Sequence, residues 1–174
     1  KAIEMGFQWL PIAYKNGADR EARFRMIIAA NLAGLAFGNS VAHLTHSFGH
    51  GLGAVMEMHH GLAVGFFVPH SLQFCSKVSD KYLAICKILD IPVANPEEGL
   101  KNLVTKIREL FTELNVPLAL KDFGITKEEF EEKLPKLVEY SHGDFECWLS
   151  PRPISEAQCE KVMRYAYEGK DIDF

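Results

Sequence analysis

Residues 46–61 read His-Ser-Phe-Gly-His-Gly-Leu-Gly-Ala-Val-Met-Glu-Met-His-His-Gly and hold four of the chain's seven histidines. Neutral imidazole is the commonest protein ligand for borderline divalent cations such as Zn²⁺ or Fe²⁺, and it also exchanges its proton near neutral pH. A helix turns about 100° per residue, so His43, His46 and His50, spaced three and four apart, project from nearly one face. Metal binding or proton transfer is therefore the chemistry this run offers. On geometry alone His50, one turn from His46, is a third ligand. Zinc or iron chemistry uses about three or four protein ligands and an open position, so two imidazoles do not complete a site.

Competing motifs in the same stretch are weaker. Gly49-x-Gly51-x-Gly53 is not spaced as G-x-G-x-x-G and follows no strand, so it reads as close-packing glycine and not as a phosphate cradle. Each of these glycines costs a helix about 1 kcal/mol relative to alanine, which makes sense where another backbone or a ligand approaches closely. Glu57-x-x-His60 has the form used by di-iron bundles, but that site needs a second such motif and two further glutamates, and the second motif is missing. His43 reads as polar filling on the histidine helix, His70 as a structural partner at a proline bend, and His142 sits in a Ser-His-Gly-Asp loop with no evident chemistry.

The same residues resemble a known family. His46-x-x-x-His50-x-x-Gly53, followed by His59-His60-Gly61 and Val68-Pro69-His70, is similar to the signature of the iron-containing (group III) alcohol dehydrogenases. Ser150-Pro151-Arg152-Pro153-Ile154-Ser155 is similar to that family's Asn-Pro-Arg-Pro element before its last helix, and the resemblance extends over essentially the whole chain. It implies that His46 and His60 bind Fe²⁺ or Zn²⁺, and that His50 lies beside the nicotinamide and the site of hydride transfer. His59 stands where the family usually has proline; Gly61 after His60, as in the motif, favours His60 as the ligand. The implied activity is reversible oxidation of a small-molecule alcohol to an aldehyde or ketone, with NAD or NADP as hydride acceptor and the cation as Lewis acid, in a homodimer or larger oligomer.

The family also has an N-terminal α/β domain with a Gly-Gly-Gly-Ser phosphate loop and an early helix supplying an Asp-x-x-x-His ligand pair. Neither occurs between Lys1 and Phe174, and the chain opens on Lys1-Ala2-Ile3-Glu4-Met5 without a cap residue. The expectation is a piece of a longer enzyme, inactive by itself. Two other readings stay open: a metal-independent reductase of the same family, and a non-catalytic helical module that binds a metal or a partner.

Composition narrows the classes. With 174 residues and 48% apolar content, one domain over residues 1–174 with a sizeable core is expected, without an internal repeat or linker. A net charge of −4 with scattered basic residues excludes a nucleic-acid footprint. Apolar stretches such as residues 62–69 are too short for a membrane span of about 20 residues. Cys75, Cys86, Cys147 and Cys159 form no C-x-x-C pair, which suits buried, reduced thiols in a cytoplasm.

Apolar residues recur every three or four positions and strand-type alternation is nearly absent, so the fold class is all-α. The resemblance implies the helical C-terminal domain of the dehydroquinate synthase-like fold. Helices are expected over residues 1–14 and from Asp19 to Gly38, the latter carrying Phe24, Ile27, Ile28, Leu32, Leu35 and Ala36. Asn39 or Ser40 caps a histidine helix that ends in a loop at 54–60. Further helices are expected at 61–74 with a bend at Pro69, at 80–89, from Pro96 to about Leu114, from the Thr126-x-x-Glu129 capping box to about Tyr140 with a kink at Pro135, and from Ser155 to Gly169. Lys and Glu at helical spacing over 79–140 read as solvated faces without a catalytic role, the Lys127, Lys133 and Lys136 group being neutralised by Glu128, Glu129, Glu131 and Glu132.

Overall fold

Polar caps punctuate the chain. Asp19, Asn95, Thr126 and Ser155 each accept a hydrogen bond from a backbone N–H of the first turn they precede, meeting donors that a helix start leaves unpaired. Only Ser155 forms the full capping box, with Gln158 reaching back to its N–H; the glutamate of the Thr126 motif, Glu129, binds Lys133 instead. A computed structural model describes all of residues 1–174. It contains α1 (Ala2–Lys15), α2 (Arg20–Ser40), α3 (Leu44–Met56), α4 (His60–Phe66), α5 (Val68–Cys75), α6 (Leu83–Ile88), α7 (Pro96–Glu113), α8 (Lys127–Gly143) and α9 (Glu156–Glu168), with 3₁₀ turns at Leu120–Phe123 and Phe145–Leu149. There are no strands, as the periodicity requires.

The helices pack as two compact units, neither of them a continuous stretch of sequence. One comprises Lys1–Val41 and Lys81–Val116, the other Ala42–Asp80 and Pro117–Phe174. The expectation of one domain carried no such division, because the chain passes between the units without a linker that composition would mark.

In the first unit α1 lies along α2, and α6 lies against α7. Gly99 on α7 allows this second contact: a Cβ there would stand 2.9 Å from Leu83 Cδ2 and 3.1 Å from Val93 Cγ1. Only Ala22 and Ala29 of α2 are buried. Its expected apolar residues Phe24, Ile27, Ile28 and Leu35 are exposed, so apolar periodicity did not translate into burial there.

The second unit is built around α3, which is covered by α4 and α8, with α9 packed on α8. Phe48, Phe66, Phe67, Phe74 and Phe130 are fully buried at its centre. Full burial of one such side chain contributes about 1.5–3 kcal/mol, so this aromatic cluster is a large part of the unit's core. The tail is fastened by Gln73, which donates to Asp171 at 2.7 Å and accepts from the Ile172 N–H at 3.0 Å. Arg152 donates to the carbonyls of Phe74 and Phe174 at 2.9 and 2.8 Å, its guanidinium 3.9 Å above the Phe74 ring.

Three local expectations are corrected. Asn39 and Ser40 do not cap α3; they lie in the last turn of α2, bonded to the Leu35 and Ala36 carbonyls, and α3 starts after His43 without a side-chain cap. The expected helix at 61–74 is two helices broken at Phe67, with Pro69 in the first turn of α5, where its missing N–H leaves no helix bond unmade. α8 runs on through Pro135 to Gly143, so His142 is in its last turn and not in a loop.

Candidate metal centre

Close helix approach brings the histidines together. A Cβ on Gly49 of α3 would fall 2.6 Å from Val64 Cα and 2.8 Å from Val64 N, so only glycine lets α4 lie this near. A Cβ on Gly51 would stand 3.1 Å from the Leu137 carbonyl on α8. The glycines of the motif thus serve backbone packing, as their spacing argued. Glu57, in the left-handed conformation at φ 54°, ends α3, and three residues later His60 opens α4. The turn carries the chain back beside α3, where His46 and His50 are one helical turn apart.

The three rings form a triangle. His46 and His50 have centroids 5.7 Å apart, His46 and His60 5.7 Å, and His50 and His60 5.3 Å. A zinc-bound imidazole has a Zn–N distance of about 2.1 Å, which puts its ring centre roughly 3 Å from the metal. Two rings at a tetrahedral angle then have centres about 5 Å apart, close to the separations found. A cation sits near the plane of each imidazole that binds it. The planes of His46 and His60 are inclined at 53° and those of His46 and His50 at 78°, whereas those of His50 and His60 are at 28° and nearly stacked. A cation shared by His50 and His60 is thereby disfavoured, while His46 can share one with either. His59 precedes α4 without a side-chain cap bond, and its ring lies beside Gly61, 3.6 Å from where a Cβ would stand.

Burial holds the His46 imidazole below its ordinary pKa, partly opposed by the Glu146 carboxylate, and the neighbouring His50, His60 and His43 lower it further. His43 is also lowered by burial, with Glu146 opposing. Both effects favour the neutral ring, the form with a lone pair for a cation.

Two carboxylates that sequence reasoning left out complete the surroundings. His50 Nδ1 lies 2.9 Å from Asp144 Oδ2 and 3.7 Å from Glu146 Oε2. The ligand atoms of His50, Asp144 and Glu146 all fall within 4.8 Å of one another. Glu146 Oε2 is buried without a hydrogen-bond partner. A buried carboxylate oxygen lacking a donor costs free energy unless a proton or positive charge faces it, and the edge of the His50 imidazole is what lies nearest. No sequence signal gave Asp144 away, since it follows α8 94 residues beyond His50.

The remaining histidines take structural places. His70 is buried, with its ring 5.4 Å from Phe66 and 5.7 Å from Phe67. His142 packs on Trp148 at 5.6 Å. His43 precedes α3, and its buried Nδ1 has no hydrogen-bond partner. Cys86, Cys147 and Cys159 are buried free thiols and Cys75 is half-buried. The apolar-thiol reading therefore holds, and burial pushes Cys159 up to about 12. No single helix is long and apolar enough to cross a membrane.

Comparison with known proteins gives a consistent family. The profile of the Fe-containing alcohol dehydrogenase family, C-terminal, matches residues 1–167. The NADPH-dependent butanol dehydrogenase of Clostridium saccharobutylicum is 33% identical over 175 residues, covering 100% of this chain and 45% of that protein. The 1,3-propanediol dehydrogenase of Klebsiella pneumoniae is 25% identical over 170 residues, covering 96% of this chain and 43% of that one. The structure of the iron-containing alcohol dehydrogenase from Thermococcus thioreducens superposes with a TM-score of 0.85 at 29% identity, covering 97% of this chain and 43% of that one. The chain thus spans less than half the length of the relatives it matches.

Proposed function

Because the chain belongs to the Fe-containing alcohol dehydrogenase family, we propose that it forms the metal-binding helical portion of an NAD(P)-linked enzyme that interconverts a small alcohol and its aldehyde or ketone. The observation that carries this reading is the triangle of His46, His50 and His60, with the His46 and His60 rings 5.7 Å apart and inclined at 53°. His46 and His60 would hold Fe²⁺ or Zn²⁺, and further donors would come from an Asp-x-x-x-His helix of the kind the resemblance implies. When bound, the cation supplies Lewis acidity toward the substrate oxygen. His50 would line the space between substrate and nicotinamide, half-exposed so that a ligand can reach it. Val64 on α4 against Gly49 on α3 holds the His46–His60 spacing.

Two imidazoles bind weakly. A complete four-ligand zinc site is worth about 10–16 kcal/mol, so half a site supplies about 5–8 kcal/mol, or a Kd between about 1 μM and 0.2 mM. Titrating the metal-free chain with Zn²⁺ by isothermal calorimetry tests this. His46→Ala and His60→Ala are each expected to weaken binding at least tenfold, whereas His59→Ala leaves it within twofold. Submicromolar binding would mean the donors have been miscounted. Binding indifferent to His46 and His60 would refute the assignment.

A further inference from the structure

We infer that Asp144 is a positioning residue that fixes the tautomer and ring orientation of His50, leaving Nε2 as the nitrogen presented to reactants. Its catalytic consequence rests on the function proposed above; the orientation itself does not. The Asp144 carboxylate has two tasks at once. Oδ1 accepts from the Glu146 N–H at 2.7 Å and so caps the 3₁₀ turn Phe145–Leu149, while Oδ2 lies 2.9 Å from His50 Nδ1. The cap fixes the carboxylate plane, and the fixed Oδ2 in turn fixes the imidazole.

An ionised carboxylate only accepts, so the nitrogen facing it carries the proton. Glu146 Oε2, 3.7 Å from the same nitrogen, adds a second anionic oxygen on that edge and makes a lone pair there still less favourable. Both therefore select the Nδ1–H tautomer. Nε2, the other ring nitrogen, then keeps its lone pair. In water the preference of histidine runs the other way, toward Nε2–H, so the two carboxylates invert the default. The His50 side chain is 38% exposed against 19% for Asp144, so the anchoring carboxylate is the more buried of the two and the imidazole remains accessible.

Asp144→Asn isolates this effect. The amide oxygen can keep the cap on the Glu146 N–H, while its NH₂ replaces an acceptor with a donor opposite Nδ1. Long-range ¹H–¹⁵N spectra of the metal-free, ¹⁵N-histidine-labelled chain, with His50 assigned through His50→Gln, report the tautomer directly. The expected result is Nδ1–H in the wild type, Nε2–H in Asp144→Asn, and Nδ1–H retained in Glu146→Gln. In the assembled NAD(P)-linked enzyme, Asp144→Asn is expected to lower kcat 10- to 100-fold with KM for the alcohol changed less than threefold, as misorienting a positioned imidazole does. An Nε2–H wild type overturns the inference even if the variant does not fold. So does an unchanged tautomer in Asp144→Asn, or addition of Zn²⁺ that displaces the His50 proton from Nδ1 in a manner needing both carboxylates, which would make the trio a cation site. Failure of His46 and His60 to bind metal leaves the tautomer result standing, so the two readings fail separately.

Discussion

Gly49→Ala is the most incisive perturbation of the candidate centre. It strikes the α3–α4 contact without replacing any histidine. The added Cβ would lie 2.6 Å from Val64 Cα and 2.8 Å from Val64 N, and its obstacles are backbone atoms that cannot rotate away. Overpacking of this kind costs about 3 kcal/mol, the upper part of the usual range, and the helix propensity gained by replacing glycine returns about 1 kcal/mol. The net loss is about 2 kcal/mol, which for a chain of this size lowers Tm by about 4–8 °C. Gly65→Ala, in the same short helix α4 with open space around its Cβ, is the internal control. It adds only propensity and is expected to raise Tm by about 2–4 °C.

The second readout separates simple destabilisation from damage to the site. His60 opens α4, so pushing that helix away by the several tenths of an ångström needed to seat a methyl group moves His60 relative to His46. Zn²⁺ binding by folded Gly49→Ala, measured by calorimetry well below its Tm, is expected to weaken at least threefold, with Gly65→Ala unchanged. If Gly49→Ala proves as stable as Gly65→Ala, the helices do not approach as described. If it is destabilised and yet binds Zn²⁺ like wild type, the α3–α4 contact does not set the histidine geometry.

Two further outcomes follow from the same packing. Arg152→Lys keeps the charge but loses the planar guanidinium that spans the Phe74 and Phe174 carbonyls and covers the Phe74 ring; it is expected to cost about 1.5–3 kcal/mol and to speed proteolysis of residues 170–174, and wild-type resistance would refute the clamp. Cys159, fully buried, has its pKa raised from 9.0 to about 12 by burial first and then by Cys147 and Glu156. Between those values the folded chain binds more protons than the unfolded one, so this thiol's contribution is intact below pH 9 and is lost as pH rises toward 12, at up to about 1.4 kcal/mol per pH unit. Cys159→Ala is expected to flatten the fall in Tm above pH 9; an unchanged alkaline profile would show that the thiol does not govern it.

Most helices were legible because their starts are written locally. Asp19, Pro96 after Asn95, Thr126 and Ser155 sit in the sequence where the caps form, since a cap bonds only to its own first turn. Boundaries set by tertiary packing were not legible. Asn39 and Ser40 are as capable of capping as Thr126, yet the chain continues α2 through them and breaks only at Val41, which has φ 53°. The apolar residues of α2 failed as a guide to burial for a related reason: periodicity gives a helix an apolar face, but what covers that face is decided elsewhere.

The site divides along the same line. His46, His50 and His60 were found because α3 and the turn at Glu57 keep them within sixteen residues, where spacing and glycine content converge on one location. Asp144 and Glu146 were missed because they reach His50 across 94 and 96 positions of chain, and a Ser-His-Gly-Asp segment looks like any helix end. What brings them there is Gly51, whose missing side chain lets α8 descend onto α3 within 3.1 Å of where a Cβ would stand, so that the turn following α8 delivers its carboxylates to the histidine. The glycines of the motif therefore act on both sides of the site: Gly49 admits α4 and with it His60, and Gly51 admits α8 and with it Asp144. A substitution at Gly51 should accordingly disturb the His50 tautomer while sparing the His46–His60 pair, the reverse of what is expected at Gly49.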